Sequence, residues 1–193
     1  AAIKEQAALL EMIAKERIRD ELEKIIMAPQ AAKGIELLEE LGLLKYIIPE
    51  LREGIGIGQN KHHIYAIWEH NLLSFDYAAK KNYSFEIRIA SLLHDIGKPR
   101  AKRGEGPDST FYGHEIVGAR MTSKILERLR FSKKLIEKVV KLVRCHLFYY
   151  DTEEVTDSSV RRLIQRVGPE NIYDLVRVRE ADRIGSVVPK AVP

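Results

Sequence analysis

Apolar residues recur at helical spacing almost throughout this 193-residue chain, and no stretch alternates as a half-buried strand does. The fold is therefore expected to be all-α. Residues 2–27 read as one long or kinked helix ended by Pro29, and a second over 31–41 stops at Gly42, a C-cap by residue type. The turn-rich stretch around Pro49, Gly54, Gly56 and Gly58 sets a boundary between two helical parts, 1–58 and 59–186, with 187–193 as a tail. Helices in the second part are expected at 62–80, 84–96, 113–130, 132–149, 157–167 and 169–185. Ser132 and Asp157 are the expected N-caps, and Pro169 suits a first helical position. The loop GKPRAKRGEGPDSTFYG is polar and basic and is expected to be flexible.

A single cysteine, Cys145, excludes a disulfide scaffold and points to a reducing, cytoplasmic compartment. No apolar run approaches the roughly 20 residues of a membrane span. The charged start AAIKEQAALL has no signal-peptide layout. It also lacks Met, so the chain is expected to be cut from a longer one. A net charge of +4 and a pI near 9.1 admit an anionic partner without requiring one, since a solvated basic surface gives the same numbers. Asn and Gln are scarce beside Lys, Arg and Glu, a composition suited to a thermophilic source.

The chemistry-bearing residues are histidines and aspartates on separate helices. His94-Asp95 in IASLLHDIGKP means little as a lone dipeptide, because a single histidine on a helix is more often a hydrogen-bonded core residue than a ligand. Its company changes that reading. His70 shares a stripe with His63, Ile67 and Ser74; His94 follows Ile87 and Ala90; His114 lines up with Gly118, Met121 and Ile125. His146 follows Leu135, Val139 and Leu142, and Asp182 follows Leu175 and Val178. Offsets of three, four and seven turn each polar group toward the buried face. Burying carboxylates and imidazoles against apolar stripes is costly unless they are paired or hold a cation. Convergence on metal answers for the whole set. The alternative is that each histidine is satisfied locally. Imidazole with carboxylate suits Mn, Fe, Co, Ni or Zn, and the expected cofactor is one or two divalent ions from that group or Mg.

The ordered set, His70 in YAIWEHNLL, His94-Asp95 in LLHDIGKP, His114 in YGHEIVGA, His146 in VRCHLF and Asp182 in READRIG, resembles the HD superfamily of metal-dependent phosphohydrolases over residues 60–186. The segment ERIRDELEKIIMAPQAAKGIELLEELGLLKYIIPEL resembles the region that follows the catalytic head of bacterial tRNA nucleotidyltransferases and poly(A) polymerases. The resemblance implies an HD helical bundle preceded by a neck-like, RNA-binding segment. It also implies one ion on His70, His94, Asp95 and Asp182, and room for a second on His114 and His146 with Asp95 bridging. The transferase head of that family needs a Gly-Ser turn and a D-x-D pair. No D-x-D occurs here, so nucleotide addition is not expected of this chain.

The expected activity is hydrolysis of a phosphoester on a nucleotide or an RNA 3′ end, with tRNA as partner of the parent protein. By family analogy, 2′,3′-cyclic phosphodiesters, 2′-nucleotides and phosphomonoesters are the substrate classes. Asp95 and Lys98 are the candidate catalytic residues. Lys98, Arg100 and Arg183 are candidates for a substrate phosphate, Lys98 as a point charge one turn after Asp95; Arg183 alternatively orients Asp182. His63 either supports the ligands from behind or merely starts its helix. A second hypothesis is a non-catalytic tRNA-binding spacer, supported by the basic helix FSKKLIEKVVKLVR and by Arg161, Arg162 and Arg166. A hydrolase of free nucleotides ranks behind both.

Overall fold

The computed structural model describes residues 2–59, 64–148 and 155–186. Its helices are α1 (Ala2–Gln6), α2 (Lys15–Met27), α3 (Ala31–Glu40), α4 (Leu44–Ile47), α5 (Ile67–Lys80), α6 (Phe85–Leu93), α7 (Lys98–Ala101), α8 (His114–Arg128), α9 (Lys133–Cys145), α10 (Asp157–Val167) and α11 (Ile172–Ser186). The fold is all-α, as the periodicity predicts. Among the described residues the β-pairing is a single isolated bridge, Arg103 with Thr110. None of the described helices is long and apolar enough to cross a membrane.

The first expected helix is divided. α1 passes into a 3-10 turn over Ala7–Met12, and the chain is extended at Ile13 before α2 begins. The buried stripe of α2 is Ile18, Leu22 and Ile26. Carried back one to two turns it meets Ala14, Lys15 and Glu11, which offer little apolar surface to bury. The end of α3 follows expectation. Gly42 adopts φ +70°, its N–H bonds Glu39 O at 2.9 Å, and Leu43 N–H bonds Leu38 O at 2.8 Å. That pair of bonds is the Schellman arrangement, which a residue with a Cβ adopts only under strain.

α5 starts at Ile67 rather than 62, because Ile67 N–H already bonds Ile57 O in the preceding turn. His63 lies outside the described residues. α6 and α9 stop at Leu93 and Cys145, short of the expected 96 and 149. The cap of α10 is Thr156, whose hydroxyl accepts from Ser159 N–H, rather than Asp157; Ser132 caps α9 as expected, accepting from Leu135 N–H. Pro169 opens a 3-10 turn that leads into α11. The basic loop carries local structure: α7 opens it, and Arg103 and Thr110 exchange both backbone hydrogen bonds at 2.9 Å. The tail at 187–193 lies outside the described residues.

α5 packs between α6 and α11, α6 on α9, and α9 on α8. The N-terminal helices join the same core, which runs without interruption from Ile18 to Val178. Arg88 makes the joint. Only 3% exposed, it donates from Nη1 to Ile26 O (3.1 Å) and Ala28 O (3.3 Å), and from Nε to Tyr83 O (2.9 Å). It thereby satisfies carbonyls that the end of α2 leaves without helical partners.

Candidate metal centre

Five helices each deliver part of one polar cluster inside this core. α5 carries His70, and α11 carries Asp182. His94 caps α6, with Asp95 next in the chain; His114 is the first residue of α8, and His146 caps α9. None of the six is more than 7% exposed.

Three histidines share one local device. His94 Nδ1–H donates to Ser91 O at 2.8 Å, His114 Nδ1–H to Phe111 O at 2.8 Å, and His146 Nδ1–H to Val143 O at 2.7 Å. A carbonyl only accepts, so Nδ1 carries the proton and Nε2 of the neutral ring is a bare lone pair. For His94 and His146 the same bond occupies a C-terminal carbonyl, which explains why both helices stop early.

All four Nε2 atoms face carboxylates. His70 Nε2 lies 2.9 Å from His94 Nε2 and 3.2 Å from both Asp95 Oδ2 and Asp182 Oδ1. His94 Nε2 is 3.3 Å from Asp95 Oδ2 and 3.5 Å from Asp182 Oδ1. On the other oxygen of Asp95, His114 Nε2 sits at 3.1 Å and His146 Nε2 at 3.6 Å. Two groups result, His70–His94–Asp95–Asp182 and Asp95–His114–His146, each with ligand atoms within 4.8 Å of one another.

Lone pairs converging on carboxylates in a dry core repel unless something positive lies between them. Ligand bonds of about 2.1 Å place neighbouring ligand atoms about 3.0–3.4 Å apart, and the first group is spaced at 2.9–3.5 Å. His114 Nε2 and His146 Nε2 are buried with no hydrogen-bond partner among the described residues. The residues present thus fit one divalent ion, with a second position sharing Asp95.

Without an ion the cluster draws in protons. Burial opposes the charged form of His94, yet Asp95 and Asp182 outweigh it and push the imidazole up to about 10. His70 is raised by the same two carboxylates against its burial. At His146 burial, joined by the charge of His94, outweighs Asp95 and Asp182, and the imidazole is pushed down. Asp95 and Asp182 are held well below the usual carboxylate range despite burial, Asp95 by Lys98 and His94, Asp182 by His70 and His94.

The tertiary structure sorts the candidate phosphate ligands. Lys98, 6% exposed, places Nζ 2.6 Å from Asp95 Oδ2 and 2.6 Å from Gln59 Oε1. Arg100 gives its guanidinium to both oxygens of Glu53, at 2.7 and 2.5 Å, and so ties α7 to the Pro49–Gly54 turn. Arg183 is exposed on α11, and Arg179, one turn before Asp182, bonds Asp182 Oδ2. Gln59 and Arg179 were not among the candidates. Only the i, i+3 spacing on α11 hinted at Arg179, and nothing local hinted at Gln59, which is 39 residues from Lys98.

The HD domain family pattern matches residues 67–185. The chain belongs to the HD-domain family. Residues 1–55 match a second family, described as the probable RNA and SrmB-binding site of polymerase A. The chain is 37% identical over 183 residues to an A-adding tRNA nucleotidyltransferase of Deinococcus radiodurans, covering 92% of this chain and 41% of that protein. It is 36% identical over 177 residues to a CC-adding tRNA nucleotidyltransferase of Thermus thermophilus, covering 90% and 40%. A multifunctional CCA protein of Acinetobacter baumannii is 28% identical over 182 residues, covering 91% and 44%. This HD-domain chain therefore spans about two fifths of the length of the curated relatives it matches.

Proposed function

We propose that this chain is a divalent-metal phosphohydrolase acting on phosphoesters of nucleotides or RNA ends, within a cytoplasmic protein of the tRNA nucleotidyltransferase family. The observation that carries the reading is the set of imidazole Nε2 atoms, fixed by their own Nδ1–H bonds, turned on the two oxygens of the Asp95 carboxylate. His70, His94, Asp95 and Asp182 would hold one ion, and Asp95, His114 and His146 a second. An ion held by these residues would supply Lewis-acid chemistry toward a phosphoester. The chain's part is to exclude bulk water from the Asp95 face, to keep the Nε2 lone pairs unprotonated once metal binds, and to present Lys98 beside the reacting phosphate. The 2′,3′-cyclic phosphate and 2′-phosphate classes rest on family analogy.

The test is metal analysis of the purified chain, followed by turnover of bis(p-nitrophenyl) phosphate and of 2′,3′-cyclic nucleotides with Mn, Co or Ni, with and without chelator. Chelator-sensitive turnover supports the reading. Absence of metal after supplementation, with no turnover, removes it. A second reading, tRNA positioning, is favoured by the match of residues 1–55 to an RNA-binding region. It requires tRNA affinity that falls with added salt.

A further inference from the structure

The junction of α9 and α10 carries unpaired charge and the exposed apolar side chains Leu147 and Val160, beside Phe148 and Leu163, which are partly buried against the core. α9 bears five cations and one acid, Glu137, while α10 bears Arg161, Arg162 and Arg166 with Asp157. Asp174 holds Lys138 at 2.8 Å and Glu115 holds Arg144 at 3.2 Å. Lys141, Arg161, Arg162 and Arg166 form no ion pair among the described residues, and Arg162 donates to the Ser158 hydroxyl.

Beside them runs a groove of about 410 Å³, with Leu147, Phe148, Val155, Val160 and Leu163 as its apolar lining and Arg162 and Arg166 as its cations. Leu147 and Val160 remain 48% and 42% exposed. Leu147, at the start of the groove, directly follows His146, the residue that faces Asp95 from α9.

We propose that this groove binds an unpaired stretch of RNA, a base against Phe148 and the adjoining phosphates on Arg162 and Arg166, and that it leads the strand's end to the metal centre. The second half rests on the phosphohydrolase reading; the first does not. An aromatic ring between apolar walls receives the face of a base, and guanidinium groups take phosphate oxygens bidentately. A base stacked inside a duplex presents no free face, so the groove selects single strands.

The binding half is tested on the whole chain stripped of metal, with a short 5′-fluorescein single-stranded RNA followed by anisotropy at low salt. Arg162→Glu with Arg166→Glu weakens binding on the order of tenfold and lowers the slope of log affinity against log salt by about 1.4, about 0.7 for each phosphate no longer neutralised. Phe148→Leu keeps an apolar filler but loses the ring face; it weakens binding on the order of five- to tenfold with the slope unchanged. Arg120→Glu with Lys124→Glu, exposed on α8, is the matched charge control and leaves affinity within about twofold. Thermal melts confirm that the variants fold. Wild-type affinity in the Arg162/Arg166 variant, equal loss in the α8 control, or equal competition by duplex RNA or polyglutamate overturns the groove. The leading of the strand is tested on metal-loaded protein. There the Arg162/Arg166 variant raises KM for an RNA-end substrate and leaves turnover of bis(p-nitrophenyl) phosphate unchanged. An unchanged KM overturns that half alone.

Discussion

Gly97 stands two residues after Asp95, where the backbone meets α8 without room for a side chain. A Cβ at Gly97 would lie 2.2 Å from His114 O and 2.5 Å from Gly118 N, both backbone atoms that no rotamer change moves. Gly97→Ala therefore opens the approach of α8 to the Asp95 turn by about 1 Å before ordinary contact returns. The first clash is with His114 itself, whose Nε2 is 3.1 Å from Asp95 Oδ1. Metal sites tolerate about ±0.2 Å in ligand distance, so a shift of that size removes the Asp95–His114–His146 position while His70, His94 and Asp182 remain on other helices. Overpacking of this kind costs about 1–3 kcal/mol, a fall in Tm of roughly 2–12 °C for a chain of this size. The matched control is Gly118→Ala on the facing helix. Its Cβ meets Gly97 N at 3.4 Å and His94 O and Val143 Cγ1 at 3.6 Å, ordinary contacts, and alanine gains up to about 1 kcal/mol in a helix interior. Metal content by elemental analysis and Tm by calorimetry, read on both variants, decide the matter. A Gly97→Ala protein with wild-type metal stoichiometry and Tm would refute the steric coupling between this turn and the His114 ligand.

Four further outcomes follow from the structure. Asp95→Asn takes the shared charge from both ligand groups, so metal content and chelator-sensitive hydrolysis both vanish. His114→Ala loses only the second ion, and equal metal in wild type and Asp95→Asn removes Asp95 from the centre. His94 is held up to about 10 in the metal-free protein, so an ion must displace its proton across the whole physiological range. Its charged form therefore stabilises the metal-free fold fully below its ordinary value near 6.5, with that contribution lost as pH rises toward 10, while metal affinity rises with pH by up to about tenfold per unit for each proton displaced. Competition titrations at several pH values with a flat profile would contradict that proton release. Arg88→Met strands the carbonyls of Ile26, Ala28 and Tyr83 and costs about 3 kcal/mol in denaturant unfolding; the assigned role is wrong if stability is unchanged.

What sequence determined was the helix content and the inventory of the centre. Period-3.6 spacing fixed the all-α class, because burying one stripe per helix is a local property of the chain. It also turned His70, His94, His114, His146 and Asp182 inward, since a polar residue in register with a buried stripe points where the stripe points. Helix ends escaped that logic. α6 and α9 stop where His94 and His146 take carbonyls with their ring nitrogens, and the long first helix breaks where its stripe finds no partner. Distances escaped it altogether. Arg100 belongs to Glu53, 47 residues away, and Lys98 is shared with Gln59, 39 residues away. The Gly97–Gly118 approach is visible only once α7 and α8 are packed. Spacing along one helix is set by covalent geometry, whereas pairing between helices is set by how the whole core closes, and only the folded chain contains that information.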